Sequence, residues 1–89
     1  MEIEFDPVKS EKNKLERGFP FELATHFEID TALVEVDCRH DYEEQRFNAL
    51  GLIGDRLYHM TYTLRGNIIR VISLRKANKR EVKKYVLNN

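Results

Sequence analysis

The sequence predicts an α+β fold, in which an antiparallel, mostly meander sheet carries two N-terminal helices and a basic C-terminal helix. Three observations predict it. A polar stretch near the N-terminus is bounded by proline and glycine, apolar residues in the middle of the chain recur with a period of two, and a lysine- and arginine-rich segment follows the last strand-like run. The predicted order of elements is β-α-α-β-β-β-β-α, and 89 residues suit one domain spanning residues 1–89.

The first half of the chain predicts one strand and two helices. Glu2–Phe5 alternates polar and apolar residues, as a short edge strand does. Asp6-Pro7 is typical of an N-cap followed by proline at the first helical position, and Gly18 favours an end to this helix at the preceding residue. Pro20 favours the start of a second helix. The apolar residues expected to pack are Val8 and Leu15 from the first helix and Phe21, Ala24 and Phe27 from the second.

The sequence from residue 33 onwards predicts four strands. In the third, apolar residues take the even positions and polar residues the odd ones, so one face should be buried and the other should face solvent. Gly66-Asn67 favours a tight reversal that returns the chain antiparallel into the fourth strand. The predicted strands are Leu33–Cys38, Arg46–Ile53, Leu57–Arg65 and Ile68–Leu74, and the side chains expected on the buried face of the third are Tyr58, Met60, Tyr62 and Leu64.

The last strand is expected to turn at Leu74-Arg75 into a cationic helix. On a helical wheel at about 100° per residue, the apolar and basic side chains of this segment fall on opposite sides. We therefore expect the apolar side to pack on the sheet and the basic side to face solvent. The apolar side holds Leu74, Ala77, Val82 and Tyr85, and the basic side holds Lys76, Lys79, Arg80 and Lys83.

Opposite charges are concentrated in the two halves of the chain. The formal net charge is zero, but residues 1–44 hold five basic and thirteen acidic side chains, a net of −8, and residues 45–89 hold ten basic and two acidic ones, a net of +8. Such asymmetry indicates a surface for a polyanion or an acidic partner in the C-terminal half. The alternative is charge compensation between elements that pack together.

Several classes of site are disfavoured by the sequence. Cys38 is the single cysteine, so neither an intrachain disulfide nor a cysteine-rich zinc site can form, and a reducing, cytoplasmic location is expected. The histidines His26, His40 and His59 lack the spacing of a metal site, and no glycine-rich phosphate loop is present. No run approaches the ~18 apolar residues of a membrane span. We expect no metal, no cofactor and no membrane partner.

Arginines are the strongest candidates for chemistry, because an antiparallel sheet can bring them together on one wall. Arg70 lies in an otherwise apolar strand, where a guanidinium is costly unless it is paired. It therefore requires a carboxylate of this chain, such as Glu44 or Asp41, or a phosphate from outside. His59 is a candidate general acid or base because it shares the polar face of its strand with Arg65, the alternative being an ordinary surface histidine. The four arginines are Arg46, Arg65, Arg70 and Arg75.

Five blocks of residues in order resemble the BrnT family of toxins from type II toxin-antitoxin pairs, which are small ribonucleases with a RelE-like fold. The resemblance covers nearly the whole chain, and its last block is the most specific. The blocks are FDPxKxxxNxxxxG at Phe5 to Gly18, the helix Phe21-Glu22-Leu23-Ala24 with Phe27 behind it, DxRxDY at Asp37 to Tyr42 with Glu44 and Arg46-Phe47, YTLRG at Tyr62 to Gly66, and IRVISLRKANKREVKKY at Ile69 to Tyr85.

The resemblance implies a cytoplasmic endoribonuclease that arrests growth by cutting RNA and is neutralised by a cognate BrnA-like antitoxin. It implies a heterotetramer of two toxins with two antitoxins, in which DNA is bound only through the antitoxin. It also implies cleavage without a metal ion: the RNA's own 2′-hydroxyl attacks the adjacent phosphate, and fixed arginines stabilise the developing charge.

The resemblance also assigns roles to individual residues by matching positions. The arginines that would act at the scissile phosphate are Arg46, Arg65, Arg70 and Arg75, and the residues that would contact flanking phosphates are Lys76, Lys79 and Arg80. The general base stays open among Glu44, Tyr85 and His59.

Two alternatives to an active nuclease are open. One is a non-catalytic module whose basic surface binds RNA or an acidic protein, with the arginines serving only electrostatics. The other is a chain whose main role lies in its complex, with transcriptional repression supplied by the antitoxin.

Overall fold

A computed structural model describes residues 2–38 and 44–88 of the chain. His40, Asp41 and the end of the predicted DxRxDY block lie outside the described residues. No helix in the described part is long and apolar enough to cross a membrane. The elements are β1 (Ile3–Phe5), α1 (Pro7–Arg17), two 3₁₀ helices (Phe21–His26 and Ile29–Thr31), β2 (Leu33–Val36), β3 (Arg46–Ile53), β4 (Arg56–Arg65), β5 (Ile68–Lys76) and α2 (Lys79–Leu87).

The five strands form one mixed sheet in the order β1-β5-β4-β3-β2. Strands β2 to β5 form the predicted antiparallel meander. Strand β1 instead joins the far edge parallel to β5, so the expectation of an antiparallel arrangement is wrong for this strand. The α+β class is confirmed, but the direction of β1 depends on how the intervening helices return the chain, which the alternation of its three residues cannot reveal.

Helix α1 begins and ends where its local signals predict. The Asp6 side chain accepts a hydrogen bond from the backbone N–H of Val8 at 2.9 Å, and Gly18 has φ 91° and donates to the carbonyl of Lys14. Its packing differs from the prediction, because Val8 and Leu15 are 76% and 80% exposed.

Two polar side chains, rather than Val8 and Leu15, attach α1 to the rest of the protein. The hydroxyl of Ser10 accepts from the backbone N–H of Phe21 at 2.9 Å and donates to Glu22 at 3.0 Å. Asn13 donates to the carbonyl of Phe19 at 3.0 Å. Both polar side chains are buried, so the helix packs through hydrogen bonds to the backbone that follows it.

The predicted second helix is a 3₁₀ helix of six residues, Phe21–His26, rather than an α-helix. Such a short segment forms few i to i−4 hydrogen bonds, and the tighter winding suits it. Its buried side is nevertheless as predicted, since Phe21, Ala24 and Phe27 are all at most 4% exposed. These residues pack on one face of the sheet together with Met60 of β4, whose side chain is fully buried.

Alternation along β4 is confirmed for most positions. Tyr58, Met60 and Tyr62 are buried in the core, but Leu64 is 49% exposed, so the prediction is wrong at this end of the strand. Leu64 lies two residues before the turn that begins at Gly66, where the helical layer does not cover it. The core face therefore ends near Tyr62.

Strand β5 is longer than predicted, and α2 begins later. The chain does not turn at Leu74-Arg75: pairing with β4 continues to Lys76, which lies opposite Tyr58. Leu74 is therefore a fully buried strand residue rather than part of a helix face. Ala77 also precedes the helix.

The start of α2 is set by a capping box. The side chain of Asn78 accepts from the backbone N–H of Glu81, and the Glu81 carboxylate accepts from the backbone N–H of Asn78. The same carboxylate receives two hydrogen bonds from Arg75 at 2.8 and 2.9 Å. The hydrogen bond with Arg75 is the main cause that lowers the pKa of Glu81 to about 2. Helix α2 is thus joined to β5 by an ion pair at its first turn.

Further contacts hold α2 over one end of the sheet. Lys84 forms an ion pair with Glu35 of β2, and the Tyr85 hydroxyl donates to the carbonyl of Thr31 at 3.3 Å. The helix covers sheet side chains on the face opposite the core, including Leu57. It leaves the other half of that face uncovered.

The packing of Phe27 on Gly51 predicts that Gly51→Ala is destabilising. A methyl group at residue 51 would lie 2.4 Å from the Cζ atom of the buried Phe27 ring, so the ring has to move. We expect the free energy of unfolding to fall by about 1–3 kcal/mol, measured by urea or thermal denaturation. The control is the double variant with Phe27→Leu. Its loss should be clearly smaller than the sum of the two single losses, and strict additivity would contradict the contact.

The ion pair of Arg75 with Glu81 predicts a pH-dependent contribution to stability. Because folding lowers the pKa of Glu81, the contribution is fully present above about 4.5 and is lost as the pH falls toward about 2. We expect Glu81→Gln to lower the free energy of unfolding by about 1–2 kcal/mol at pH 7. The difference between the two proteins should shrink when denaturation is repeated at pH 3. A difference that stays constant down to pH 2 would contradict this assignment.

Candidate functional site

Strand register brings four polar side chains into one row across the uncovered face of the sheet. Glu4 of β1 lies opposite Arg70 of β5, Arg70 lies opposite Thr63 of β4, and Thr63 lies opposite Arg46 of β3. Arg65 follows two residues after Thr63 and therefore lies on the same face. The alternation that buries the aromatic side chains of β4 thus directs these residues to the other side.

Three of the four predicted arginines line one cavity at this row. The cavity has a volume of about 360 Å³, and we call it the arginine cavity. Its walls carry four cationic side chains and one carboxylate, so it favours an anion. The lining residues are Lys9, Glu44, Arg46, Thr63, Arg65, Arg70 and Ile72.

Two carboxylates, Glu4 and Glu44, contact Arg65 and Arg70 of this cavity. Arg65 lies 3.2 Å from Glu44 and 3.7 Å from Glu4, and Arg70 lies 3.7 Å from the same oxygen of Glu4. The partner of Arg70 is therefore Glu4, not Glu44 as one alternative had it, and Asp41 lies outside the described residues. Sequence reasoning missed Glu4 because it depends on the parallel pairing of β1 with β5.

A second cavity adjoins the arginine cavity and shares Arg46 and Ile72 with it. Its volume is about 310 Å³, and we call it the polar cavity. Hydroxyl, amide, imidazole and carboxylate groups dominate its walls. The lining residues are Asp37, Arg46, Asn48, His59, Thr61, Ile72, Ser73 and Arg75.

Arg75 belongs to the polar cavity, so the structure does not bring all four arginines together. Its guanidinium forms the bidentate pair with Glu81, and that hydrogen bond raises the pKa of Arg75. Two of its donors are therefore already directed at a carboxylate. Its environment differs from that of the three arginines in the arginine cavity.

The three basic residues predicted for flanking phosphates lie outside both cavities. Lys76 ends β5, whereas Lys79 and Arg80 begin α2, and all three are exposed. Lys76 lies opposite Tyr58, so its side chain is directed away from the face that carries Arg75.

The three candidates for the general base lie in different places. Glu44 lines the arginine cavity, where its carboxylate accepts from Arg65 at 3.2 Å and lies 3.2 Å from the Thr63 hydroxyl oxygen. His59 lines the polar cavity, and Tyr85 lies on α2 against Thr31. Glu44 is therefore the one of the three that lies beside the clustered arginines.

Lys9 is a residue of the cavity that sequence reasoning did not single out. It lies on the exposed side of α1, at the third residue of the helix, and reaches the arginine cavity past the edge strand β1. The signal was available, because Lys9 is a fixed position of the FDPxKxxxNxxxxG block. Residue type alone could not distinguish it from the other lysines of α1.

The polar side chains between these cations are well ordered by hydrogen bonds. The Thr63 hydroxyl donates to the carbonyl of Gln45 at 2.8 Å, and the Thr61 hydroxyl donates to the side-chain oxygen of Asn48 at 2.7 Å. Both threonines are buried despite lying on the face predicted to be wet. Within residues 2–38 and 44–88, no group of three His, Cys, Asp or Glu side chains is placed to hold a metal ion.

Comparison with known protein families places the chain in one of them. A family model described as "Ribonuclease toxin, BrnT, of type II toxin-antitoxin system" matches residues 5–81, which include every residue that lines the arginine cavity. No curated protein matches the chain. Because the matched segment covers most of the 89 residues, the chain belongs to the BrnT family of ribonuclease toxins of type II toxin-antitoxin systems.

Proposed function

We propose that this protein cleaves RNA at the arginine cavity by a metal-independent mechanism in which the 2′-hydroxyl of the RNA is the nucleophile. Membership of the family supports an RNA target and an antitoxin partner. The observation that carries the proposal is the convergence of Arg46, Arg65, Arg70 and Lys9 on one cavity that also holds Glu44. A phosphodiester is the part of RNA that such a set of cations binds.

The arginines would bind the scissile phosphate by exchanging partners. Guanidinium groups match phosphate oxygens with two parallel donors, which the present contacts at 3.2 to 3.7 Å do not provide. Arg65 and Arg70 are also 50% and 30% exposed, so a ligand can reach them. Fixed cations of this kind stabilise negative charge as it grows on the phosphoryl oxygens in the transition state.

Proton transfers complete the proposed reaction. As the 2′-oxygen attacks phosphorus, its proton passes to the Glu44 carboxylate, and the bond from phosphorus to the 5′-oxygen breaks. Lys9 is the ammonium group of the cavity that can give the leaving 5′-oxygen a proton. The products are a 2′,3′-cyclic phosphate and a 5′-hydroxyl end. The exposed Lys76, Lys79 and Arg80 would bind the phosphates on either side.

The wider assignment follows the family. We propose a RelE-like domain over residues 1–89 that acts in the cytoplasm, arrests growth, and forms a heterotetramer of two toxins with two BrnA-like antitoxins. DNA would then be bound only through the antitoxin. Charge supports one feature of this complex: an acidic segment of the antitoxin would compete with RNA for the arginine cavity.

Substitution of Arg70 tests the catalytic use of the cavity. We expect Arg70→Ala to reduce cleavage of total RNA, measured in excess EDTA, by about 10²- to 10³-fold, because a donor to the transition state is lost. Binding of RNA should weaken only slightly, since one of several phosphate contacts is removed. The matched control is Arg56→Ala, which removes an exposed arginine from the opposite end of β4, outside the arginine cavity, and should cleave as the wild type does.

The same variants distinguish the nuclease from a binding module. If the protein is a non-catalytic module, the wild type will produce no RNA fragments with 2′,3′-cyclic phosphate ends. Its RNA affinity will then fall steeply with salt concentration, and by a similar factor for each cation removed. Equal cleavage by Arg70→Ala and Arg56→Ala would contradict the role of the arginine cavity.

Substitution of Glu44 tests the general base. Glu44→Gln keeps one oxygen, which can accept from Arg65, and places an amide NH₂ toward the Thr63 hydroxyl oxygen, but it cannot take a proton at neutral pH. We expect cleavage to fall by about 10²- to 10⁴-fold, while RNA binding is retained or strengthened by the loss of a negative charge. His59→Ala and Tyr85→Phe are the comparison variants. A larger loss of cleavage in either of them than in Glu44→Gln would move the role of base to that residue.

A further inference from the structure

We propose that the polar cavity binds the base of the nucleotide whose phosphate occupies the arginine cavity, so that Asn48 and Ser73 determine base preference. The inference rests on the proposed function and adds a site for the second part of the substrate. It follows from the position, the chemistry and the size of the polar cavity.

The two cavities are neighbours that one nucleotide can bridge. They share Arg46 and Ile72 as a common wall. Ile72 lies at a β-bulge: Ser73 pairs with Thr61 and Val71 pairs with Tyr62, so no residue of β4 lies opposite Ile72. A bulge of this kind redirects a side chain and is common beside active sites. Here it places an apolar side chain on a polar face, where the ring of a base can pack.

The charges of the polar cavity disfavour a second phosphate. Its lining holds the buried carboxylate of Asp37 and two arginines, the shared Arg46 and Arg75, and Arg75 is compensated by Glu81. The arginine cavity by contrast has four cations and one carboxylate in its lining. An anion therefore favours the arginine cavity, and an uncharged ring with hydrogen-bonding edges suits the polar cavity.

Hydrogen-bonding groups in the polar cavity are arranged to read a base edge. One end of the Asn48 amide is fixed by the Thr61 hydroxyl at 2.7 Å, which orients the other end. That other end and the Ser73 hydroxyl make no hydrogen bond with the described residues, and both side chains are partly buried. Both groups stay accessible to solvent, so a ligand can reach them, and the edge of a nucleobase offers both donors and acceptors.

The volumes agree with this division of the substrate. Cavities of about 310 and 360 Å³ lie at the lower end of the range for small-molecule sites, about 300–1,000 Å³. Each is therefore suited to part of a nucleotide.

The test compares inorganic phosphate with the four nucleoside 3′-monophosphates as ligands of the full-length protein, with Kd measured by NMR titration. For the wild type, we expect at least one nucleotide to bind about threefold to tenfold more tightly than inorganic phosphate, and the four to differ among themselves. Ser73→Ala and Asn48→Ala should each reduce this gain and the difference between nucleotides. Their Kd for inorganic phosphate should equal that of the wild type.

Two controls keep the comparison clear. Thr25→Ala deletes a hydroxyl on the layer that covers the core face and should change no Kd. Asn48→Ala removes the acceptor of the buried Thr61 hydroxyl, so its unfolding midpoint is measured as well. Ser73→Ala breaks no hydrogen bond among the described residues and tests the proposal without that complication.

Three outcomes decide the matter. Base discrimination that is lost in Ser73→Ala supports the proposal. If the protein binds phosphate but binds all four nucleotides equally, or if the variants keep the wild-type preference, the base site is overturned while the proposed function stands. If neither phosphate nor any nucleotide binds, the arginine cavity is not an anion site, and both proposals fail.

Discussion

The alternation of side chains along β4 is the constraint on which the rest of the structure depends. Successive residues of a strand point to opposite faces. Burial of Tyr58, Met60 and Tyr62 in the core therefore directs Thr61 and Thr63 to the other face. Strands β3 and β5 pair with β4 along most of its length, so their side chains adopt the same division. A one-residue slip would exchange the core with the arginines. Stability therefore fixes the register of the site.

The carboxylates of the arginine cavity reconcile its charge with folding. Clustered cations repel one another, and the acidic N-terminal half supplies Glu4 and Glu44 to reduce that repulsion. Their contacts at 3.2 to 3.7 Å to partly exposed arginines are worth little, about 0–1 kcal/mol each. Weak partners suit a binding site, because a phosphate can replace them at low cost. The acidic half of the sequence thus partly compensates the basic half within the chain, and the remaining positive charge of the arginine cavity offers a surface for an anion.

Local signals in the sequence were sufficient where the structure depends on neighbours in the chain, and failed where it depends on distant ones. The cap at Asp6, the end at Gly18 and the bounds of β3 follow from a few adjacent residues and were predicted correctly. The parallel direction of β1, the Glu4 partner of Arg70 and the place of Lys9 all follow from a pairing between chain segments more than sixty residues apart. The late start of α2 is a different error, because the spacing of Asn78 and Glu81 was readable as a capping box.

The partners of the arginines distinguish structural from functional roles on one sheet face. Arg75 makes two short hydrogen bonds to Glu81, and Glu81 also accepts a hydrogen bond from the backbone N–H of Asn78. Loss of the Arg75 contact would therefore also weaken the start of α2. Arg65 and Arg70 share Glu4 at 3.7 Å, and no helix depends on that contact. A ligand therefore finds donors more readily at Arg65 and Arg70 than at Arg75. Arg75, which anchors α2, lies on the sheet face opposite the core, between the half that α2 covers and the half that carries Arg65 and Arg70. The helix therefore covers one half of this face and leaves these two arginines accessible.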